Sequence, residues 1–294
     1  MNIIKPEKIK KGDTIAIIAP AGNIDKLHVD NALKYFESEG YKVKLGKHIL
    51  SEHYYLAGKD DERLEDLHNA FLDKEVKAII CARGGYGSLR LINKIDYNII
   101  KNNPKIFCGY SDITVLSLMF LKHANLLTYS SPMPKGDFQY GEIDEYTKTH
   151  FWAAINNEHL KIEAQDLKIY NEGNAQGILW GGNLASVVSL CGQDFIPEEK
   201  FIFFCEDLNE PVYKLDKYFR QLLNIEKFRK NISAFVFGDF LDNGYPEQLE
   251  ELLTEISKEL KIPAYGGFKI THEKSKLTIP IGIKSSVQNG NIIM

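Results

Sequence analysis

Short runs of β-branched and aromatic residues alternate with longer stretches in which apolar residues recur every three or four positions. In the first half the apolar runs fall at residues 14–19, 42–45, 76–82, 105–110 and 126–129. Each reads as a strand, being short and bounded by turn residues. Helical spacing fills the gaps near residues 26–39, 61–72, 88–94 and 112–122. Over 61–72, Leu64, Leu67 and Phe71 share one face, with the acids and Arg63 opposite. Strands alternating with helices predict a parallel sheet covered on both faces, and such sheets bind ligands beyond the carboxyl ends of their strands. Residues that directly follow a strand therefore carry most of the functional information.

The rhythm breaks at Ser130-Ser131-Pro132-Met133-Pro134-Lys135-Gly136, a run of turn formers. One helix is predicted over 146–155, then polar sequence to about Asn174. The expected division is a first domain over 1–135, a linker region over 136–174 and a second domain over 175–294. The second domain has shorter predicted strands, at 178–180, 201–205, 234–237, 264–266 and 277–279, and helices at 211–223 and 246–260. The expected class is α/β, a parallel-sheet domain followed by a smaller, strand-rich α/β domain.

The length of 294 residues suits two domains and a large core that needs no disulfide or structural metal. With 44% hydrophobic and 26% charged residues, the composition excludes a disordered chain. The net charge of −4, with basic residues scattered, gives no nucleic-acid footprint. Lys5, Lys8, Lys10 and Lys11 precede an apolar stretch, as in a secretion signal. Glu7 and Asp13 interrupt the basic part, however, and Pro20 closes a short β-branched run, so a buried first strand is the better reading. The longest later apolar run, 113–121, is far short of a membrane span. A soluble cytoplasmic protein is expected. Cys81, Cys108 and Cys205 end apolar runs; with Cys191 they form no CxxC pair and read as reduced core residues.

The sharpest chemical signal is Cys108-Gly109-Tyr110-Ser111-Asp112-Ile113-Thr114, where a strand runs straight into a helix with Ser111 at the junction. A nucleophile elbow has this layout, a tight turn holding the serine clear of the sheet. The helix start adds free N–H groups and partial positive charge, and the N–H of Asp112 suits an oxyanion. The pattern G-x-S-x-G is only partly met, because Ile113 replaces its last glycine, and serine is also an ordinary helix cap. The second signal is Arg83-Gly84-Gly85-Tyr86-Gly87-Ser88, again after a strand. Arg90 stands where a dinucleotide loop needs its third glycine, and the P-loop lysine is missing. An anion nest supplying a second oxyanion N–H and a plain glycine turn both remain open.

A serine nucleophile needs a base, and the base an orienting acid. His28, His48, His53, His68, His123, His150 and His159 sit in polar or helical contexts away from strand ends, whereas His272 stands in a loop between two strands. Glu206 and Asp207 directly follow the apolar run 201–205, where a solvated charge pair is the plainer account. Glu210, before Pro211, is a second candidate acid; Glu206 is preferred as nearest the strand end. The order Ser111, Glu206, His272 is that of α/β-hydrolases, though the same geometry recurs in other orders. HExxH and other metal-ligand spacings are absent, so no metal is expected.

Six segments in order, KGDTIAIIAPAG, ARGGYGS, GYSDIT, LWGGNL, CEDLNEP and H-x4-LTIPIG, span nearly the whole chain. Together they resemble the LD-carboxypeptidase family of serine peptidases, which includes the microcin-immunity peptidases. The resemblance implies an N-terminal flavodoxin-like domain carrying the nucleophile, a smaller C-terminal domain carrying acid and histidine, and a site in the cleft. It implies a triad of Ser111, Glu206 and His272, an oxyanion hole from the backbone N–H groups of Gly85 and Asp112, no cofactor, and a homodimer. The implied reaction releases terminal D-alanine from a murein tetrapeptide, cutting an L-to-D bond in cytoplasmic peptidoglycan recycling. Arg83 is the candidate receptor for the substrate carboxylate, with a structural salt bridge as the competing account. Tyr86 and Trp180 are candidates to line the cleft, with core packing as theirs. Two other readings stand beside this one. A microcin-immunity-type peptidase would cut an amide joining an amino acid to a nucleotide analogue, with Trp180 stacked on the base. A non-catalytic flavodoxin-like protein would use the glycine loop to bind a ligand.

Overall fold

The computed structural model describes residues 2–156, 158 and 161–294; His159, one of the histidines set aside above, lies outside them. The first half contains β1 (Thr14–Ile18), α1 (Lys26–Ser38), β2 (Lys42–Leu45), α2 (Asp60–Leu72), β3 (Val76–Cys81), α3 (Tyr97–Asn102), β4 (Ile106–Cys108), α4 (Ile113–Ala124) and β5 (Thr128–Ser130). Then come α5 (Glu145–Ile155), β6 (Lys161–Ile162), β7 (Lys168–Asn171), β8 (Ala175–Asn183), α6 (Leu184–Ser189), β9 (Phe201–Leu208) and α7 (Val212–Leu223). The chain continues with α8 (Glu226–Asn231), β10 (Ile232–Leu241), α9 (Pro246–Leu260), β11 (Ala264–Gly266), β12 (Ile279–Ile281), β13 (Lys284–Gln288) and β14 (Asn291–Ile293).

Two sheets organise the molecule, giving the expected α/β class. The first has the order β12-β5-β4-β3-β1-β2. Strands β1 to β5 are parallel, and β12 runs antiparallel along β5. Alternate residues of β1 serve opposite faces. Ile15 and Ile17 pack with Phe36 of α1 and Phe151 of α5, while Ala16 and Ile18 pack with Phe71 of α2 and Phe120 of α4. Burial on both faces is why β1 reads as an apolar run, whereas β2, at the sheet edge, carries Lys42 and Lys44 and is largely exposed. The second sheet has the order β6-β14-β13-β8-β9-β10-β11-β7, with β8 to β11 parallel and antiparallel strands on both flanks.

Four sequence expectations change. The helix expected over 88–94 is only the 3-10 turn Ser88–Arg90, and the regular helix starts later, where the Asp96 side chain accepts the Asn98 N–H. The second-half strands are longer than expected: β8 has 9 residues, β9 8 and β10 10. Polar residues taken as strand exits stay in the ladder, Asn183 opposite Glu206 and Asp207 opposite Phe240. The segment expected as a linker is shared out. Phe151, Ala154 and Ile155 of α5 enter the first core, and β6 and β7 edge the second sheet. The strand expected at 277–279 is β12, and it joins the first sheet.

Trp180 is a further correction. It is fully buried, with ring centroids of Phe195, Phe201, Phe203 and Phe228 at 5.7, 4.8, 5.6 and 6.1 Å. It is a core residue under β8 and does not line the cleft. Helix α4 is also buried on nearly every face. Ile113, Leu116 and Phe120 pack on the first sheet, while Val115, Leu118 and Met119 pack with Trp180 and Leu184 in the second core. A helix apolar all round belongs between two layers. No helix among the described residues is long and apolar enough to cross a membrane.

Trp180→Ala should lower stability by about 3–5 kcal/mol, as removal of a buried aromatic does. Tyr86→Ala, on an exposed ring, should change it by no more than about 0.5 kcal/mol. Urea melts of the two variants check the contrast.

Candidate active site

The site begins with a backbone constraint. Four residues, 109–112, carry the chain from β4 into α4, and Ser111 among them sits at φ +60°. Few residues other than glycine occupy this left-handed region, and such strain concentrates at functional sites. Asp112, at φ −55°, takes the cap position, so Ser111 is not the helix cap. The Asp112 carboxylate turns away and accepts the Ser88 N–H at 2.9 Å. Burial pushes that carboxyl above its ordinary range, opposed by the bond from Ser88.

The glycine loop closes over the elbow. A Cβ on Gly84 would lie 2.8 Å from Ser111 Cβ and 3.2 Å from Asp112 N, so only glycine lets the loop approach this closely. The loop is held from behind by Arg63, whose Nη1 donates to Gly87 O at 3.0 Å and to Pro20 O at 2.6 Å. Arg63 is only 1% exposed, although the helical pattern put it on the polar face of α2. Periodicity alone does not distinguish a buried arginine that ties down backbone from a solvated one.

Glu206 lies in β9, 3% exposed, and its Oε2 is 2.7 Å from His272 Nδ1. An ionised carboxylate can only accept, so Nδ1 carries the proton and Nε2 is left as the basic nitrogen. Burial lowers the proton affinity of His272, but the bond to Glu206 and its charge outweigh burial, and the net shift is upward. The ring of Tyr110 packs against the imidazole, centroids 5.0 Å apart. Glu210, the second candidate acid, lines the same cavity as Ser111, but its carboxylate is turned to other partners: it accepts from Tyr218 Oη at 3.3 Å and faces Lys214 Nζ at 3.3 Å.

Ser111, Asp112, Gly85, Tyr86 and His272 line one cavity of about 320 Å³, with Glu206 behind His272. Arg83 is not on its wall; its guanidinium donates to Asn23 O at 2.7 Å and Asn23 Oδ1 at 3.0 Å. No lysine or arginine is present among the described lining residues. The wall also carries Asp207, read from the sequence only as the neighbour of Glu206, and Asn183, which the sequence reading did not single out. Asn183 donates to Asp207 Oδ1 at 3.0 Å and caps α6 by accepting the Ser186 N–H. Burial and the neighbouring Glu206 push the Asp207 carboxyl up to about 6. The signal for Asn183 was its place at the end of the Gly181-Gly182 run.

This arrangement suits acyl transfer: a constrained serine, an imidazole fixed by a buried acid, and backbone N–H groups at a helix start. Comparison with known proteins places the chain in a family. Residues 15–131 match the LD-carboxypeptidase N-terminal domain, and residues 176–287 the LD-carboxypeptidase C-terminal domain. The chain is 37% identical over 292 residues to a probable murein peptide carboxypeptidase of Bacillus subtilis, covering 96% of this chain and 91% of that one. It is 30% identical over 292 residues to the murein tetrapeptide carboxypeptidase of Pseudomonas aeruginosa, covering 94% and 93%. Its fold matches the crystal structure of an MccF-like protein from Bacillus anthracis with a TM-score of 0.90 and 27% identity, over 99% of both chains. The chain therefore belongs to the LD-carboxypeptidase family and is a serine-type peptidase.

Proposed function

We propose that this cavity hydrolyses the L-to-D amide of a murein tetrapeptide and releases its terminal D-alanine. The observation that carries the reading is the Ser111 elbow opening on the same cavity as a Glu206-bound His272. The names of the relatives from Bacillus subtilis and Pseudomonas aeruginosa support the substrate class. Ser111 Oγ attacks the carbonyl carbon while His272 Nε2 takes its proton. Glu206 holds the ring tautomer and stabilises the imidazolium. The N–H groups of Gly85 and Asp112 hold the oxyanion. His272 then protonates the leaving D-alanine amine, and water, activated by the same imidazole, releases the acyl group. The reading also makes the protein a cytoplasmic recycling enzyme and, as the resemblance implies, a homodimer.

The other readings fare less well. The microcin-type peptidase needs an aromatic to stack on a base, and Trp180, one candidate for that role, is enclosed by phenylalanines. A pure binding module gives no reason for the strained serine or the buried Glu206–His272 pair. Arg83 would reach a substrate carboxylate only by giving up Asn23.

Incubation with L-Ala-γ-D-Glu-meso-diaminopimelyl-D-Ala should release free D-alanine, and Ser111→Ala should cut kcat by at least about 10³-fold. A folded wild type that releases none would sink the murein assignment. The pH dependence has a definite sign. His272 must be neutral to act as base, and Glu206 raises its proton affinity. The acid limb of kcat/KM should therefore lie above the ordinary histidine value of about 6.5. Glu206→Gln should move that limb to lower pH and reduce kcat about 10³–10⁴-fold. A pH–rate profile of both proteins checks it; a limb unchanged in Glu206→Gln would remove Glu206 from the role.

A further inference from the structure

His272 stands on a segment that changes sheets, between β11 in the second and β12 in the first. At its start the segment is tied to the second sheet: Asp239 N–H donates to Ile270 O at 2.9 Å, and Glu206 takes His272 Nδ1. At its end it is tied to the first body. Thr147 Oγ1 of α5 donates to Lys274 O at 2.8 Å and accepts from Lys276 N–H at 2.9 Å, and Ser275 Oγ donates to Asp144 Oδ2 at 2.9 Å. These bonds fix the backbone.

The Lys276 side chain has a separate set of contacts. It is 3% exposed, and its ammonium lies 2.6 Å from Asp137 Oδ1 and 3.0 Å from Tyr110 Oη. It also stands 4.4 Å from the centroid of the Tyr110 ring, a cation–π distance. Tyr110 precedes Ser111, and its ring faces His272. Contacts therefore run from Asp137 through Lys276 and Tyr110 to the imidazole, beside the elbow. Desolvation offsets much of the attraction in a buried ion pair, so stability alone is a weak account of it.

We propose that Lys276 is a positioning residue for His272: anchored by Asp137, it holds the Tyr110 ring against the imidazole and sets the plane in which His272 meets Ser111. The inference rests on the triad reading above. The charges reinforce the geometry. His272 is faced by Glu206 and Asp207 from β9, by Tyr110 from the elbow, by Asp137 from the loop after β5, and by Lys276 from its own segment. After burial and Glu206, the Lys276 cation is the next influence on His272, and it opposes protonation. Lys276 thus limits how far Glu206 raises the base.

The test is the rate at which a fluorophosphonate probe labels Ser111, measured against pH, since this requires no assumed peptide substrate. Lys276→Met is the direct variant. The double variant Lys276→Met/Asp137→Asn leaves no lone buried charge and covers the case in which the single variant fails to fold. Both should label with a maximal rate about ten- to a hundredfold below wild type, the size of effect that misplacing a catalytic group produces. The probe's half-saturating concentration should stay within about twofold, because the binding surface is unchanged. In Lys276→Met the acid limb should move to higher pH, since the cation opposing Glu206 is gone; the double variant also loses the Asp137 carboxylate, so its limb should lie nearer the wild-type position. A wild-type rate in either folded variant, or an unmoved limb in folded Lys276→Met, overturns the proposal. Absence of Ser111 labelling in the wild type overturns the triad reading itself, and the two failures are thereby told apart.

Discussion

One helix, buried between two sheets, fixes the geometry of everything around it. Leu116 and Phe120 of α4 belong to one core, Val115 and Leu118 to the other, so its N-terminus has no freedom to shift against either sheet. The second sheet approaches it closely. A Cβ on Gly182 would lie 2.5 Å from Thr114 Oγ1, and the Asn183 N–H donates to that oxygen at 3.2 Å. Asn183 is in turn the ladder partner of Glu206. The distance from the elbow to the buried acid is thus set by strand register and helix packing, which do not fluctuate as loops do.

The charges around the cavity follow a consistent division of labour. Arg63, Arg83 and Lys276 all lie near the site, yet each is engaged in holding backbone or a carboxylate. Glu206, Asp207 and Glu210 supply the negative side. Positive potential inside the cavity comes mainly from backbone N–H groups at the start of α4 and in the glycine loop, with the imidazole itself. Such dipoles are fixed before any ligand arrives and need no reorganisation.

Much of this was legible in the sequence, for reasons that differ by element. Strand β1 and the part of β3 after Lys77 are apolar runs, and α9 carries Leu249, Leu252, Leu253 and Ile256 at helical spacing behind Pro246. Ser111 and Glu206 stood out because each sits at or near a strand end, and His272 because it stands in a loop between two strands. The ends of β8 and β9 were misjudged because Gly181-Gly182-Asn183 and Glu206-Asp207 are residues that local rules put outside strands; only pairing with a neighbour keeps them in. Trp180 and Arg83 were misassigned for a related reason. Strand β8 is buried on both faces at Trp180, so alternation does not reveal which side meets the cleft. Buried cations such as Arg63 and Lys276 are spelled like surface ones until tertiary contacts are known.

The crossing of β12 into the first sheet also bears on how the molecule is made. The outer edge of β5 is closed by Ile279–Ile281. As the chain leaves the ribosome, the sheet bearing the elbow keeps an open edge until residue 281 has emerged. His272 emerges shortly before that closure. Synthesis itself therefore orders the assembly: the half that is made first stays unfinished until the chain is almost complete, and the cavity acquires its base shortly before that edge of its scaffold is covered.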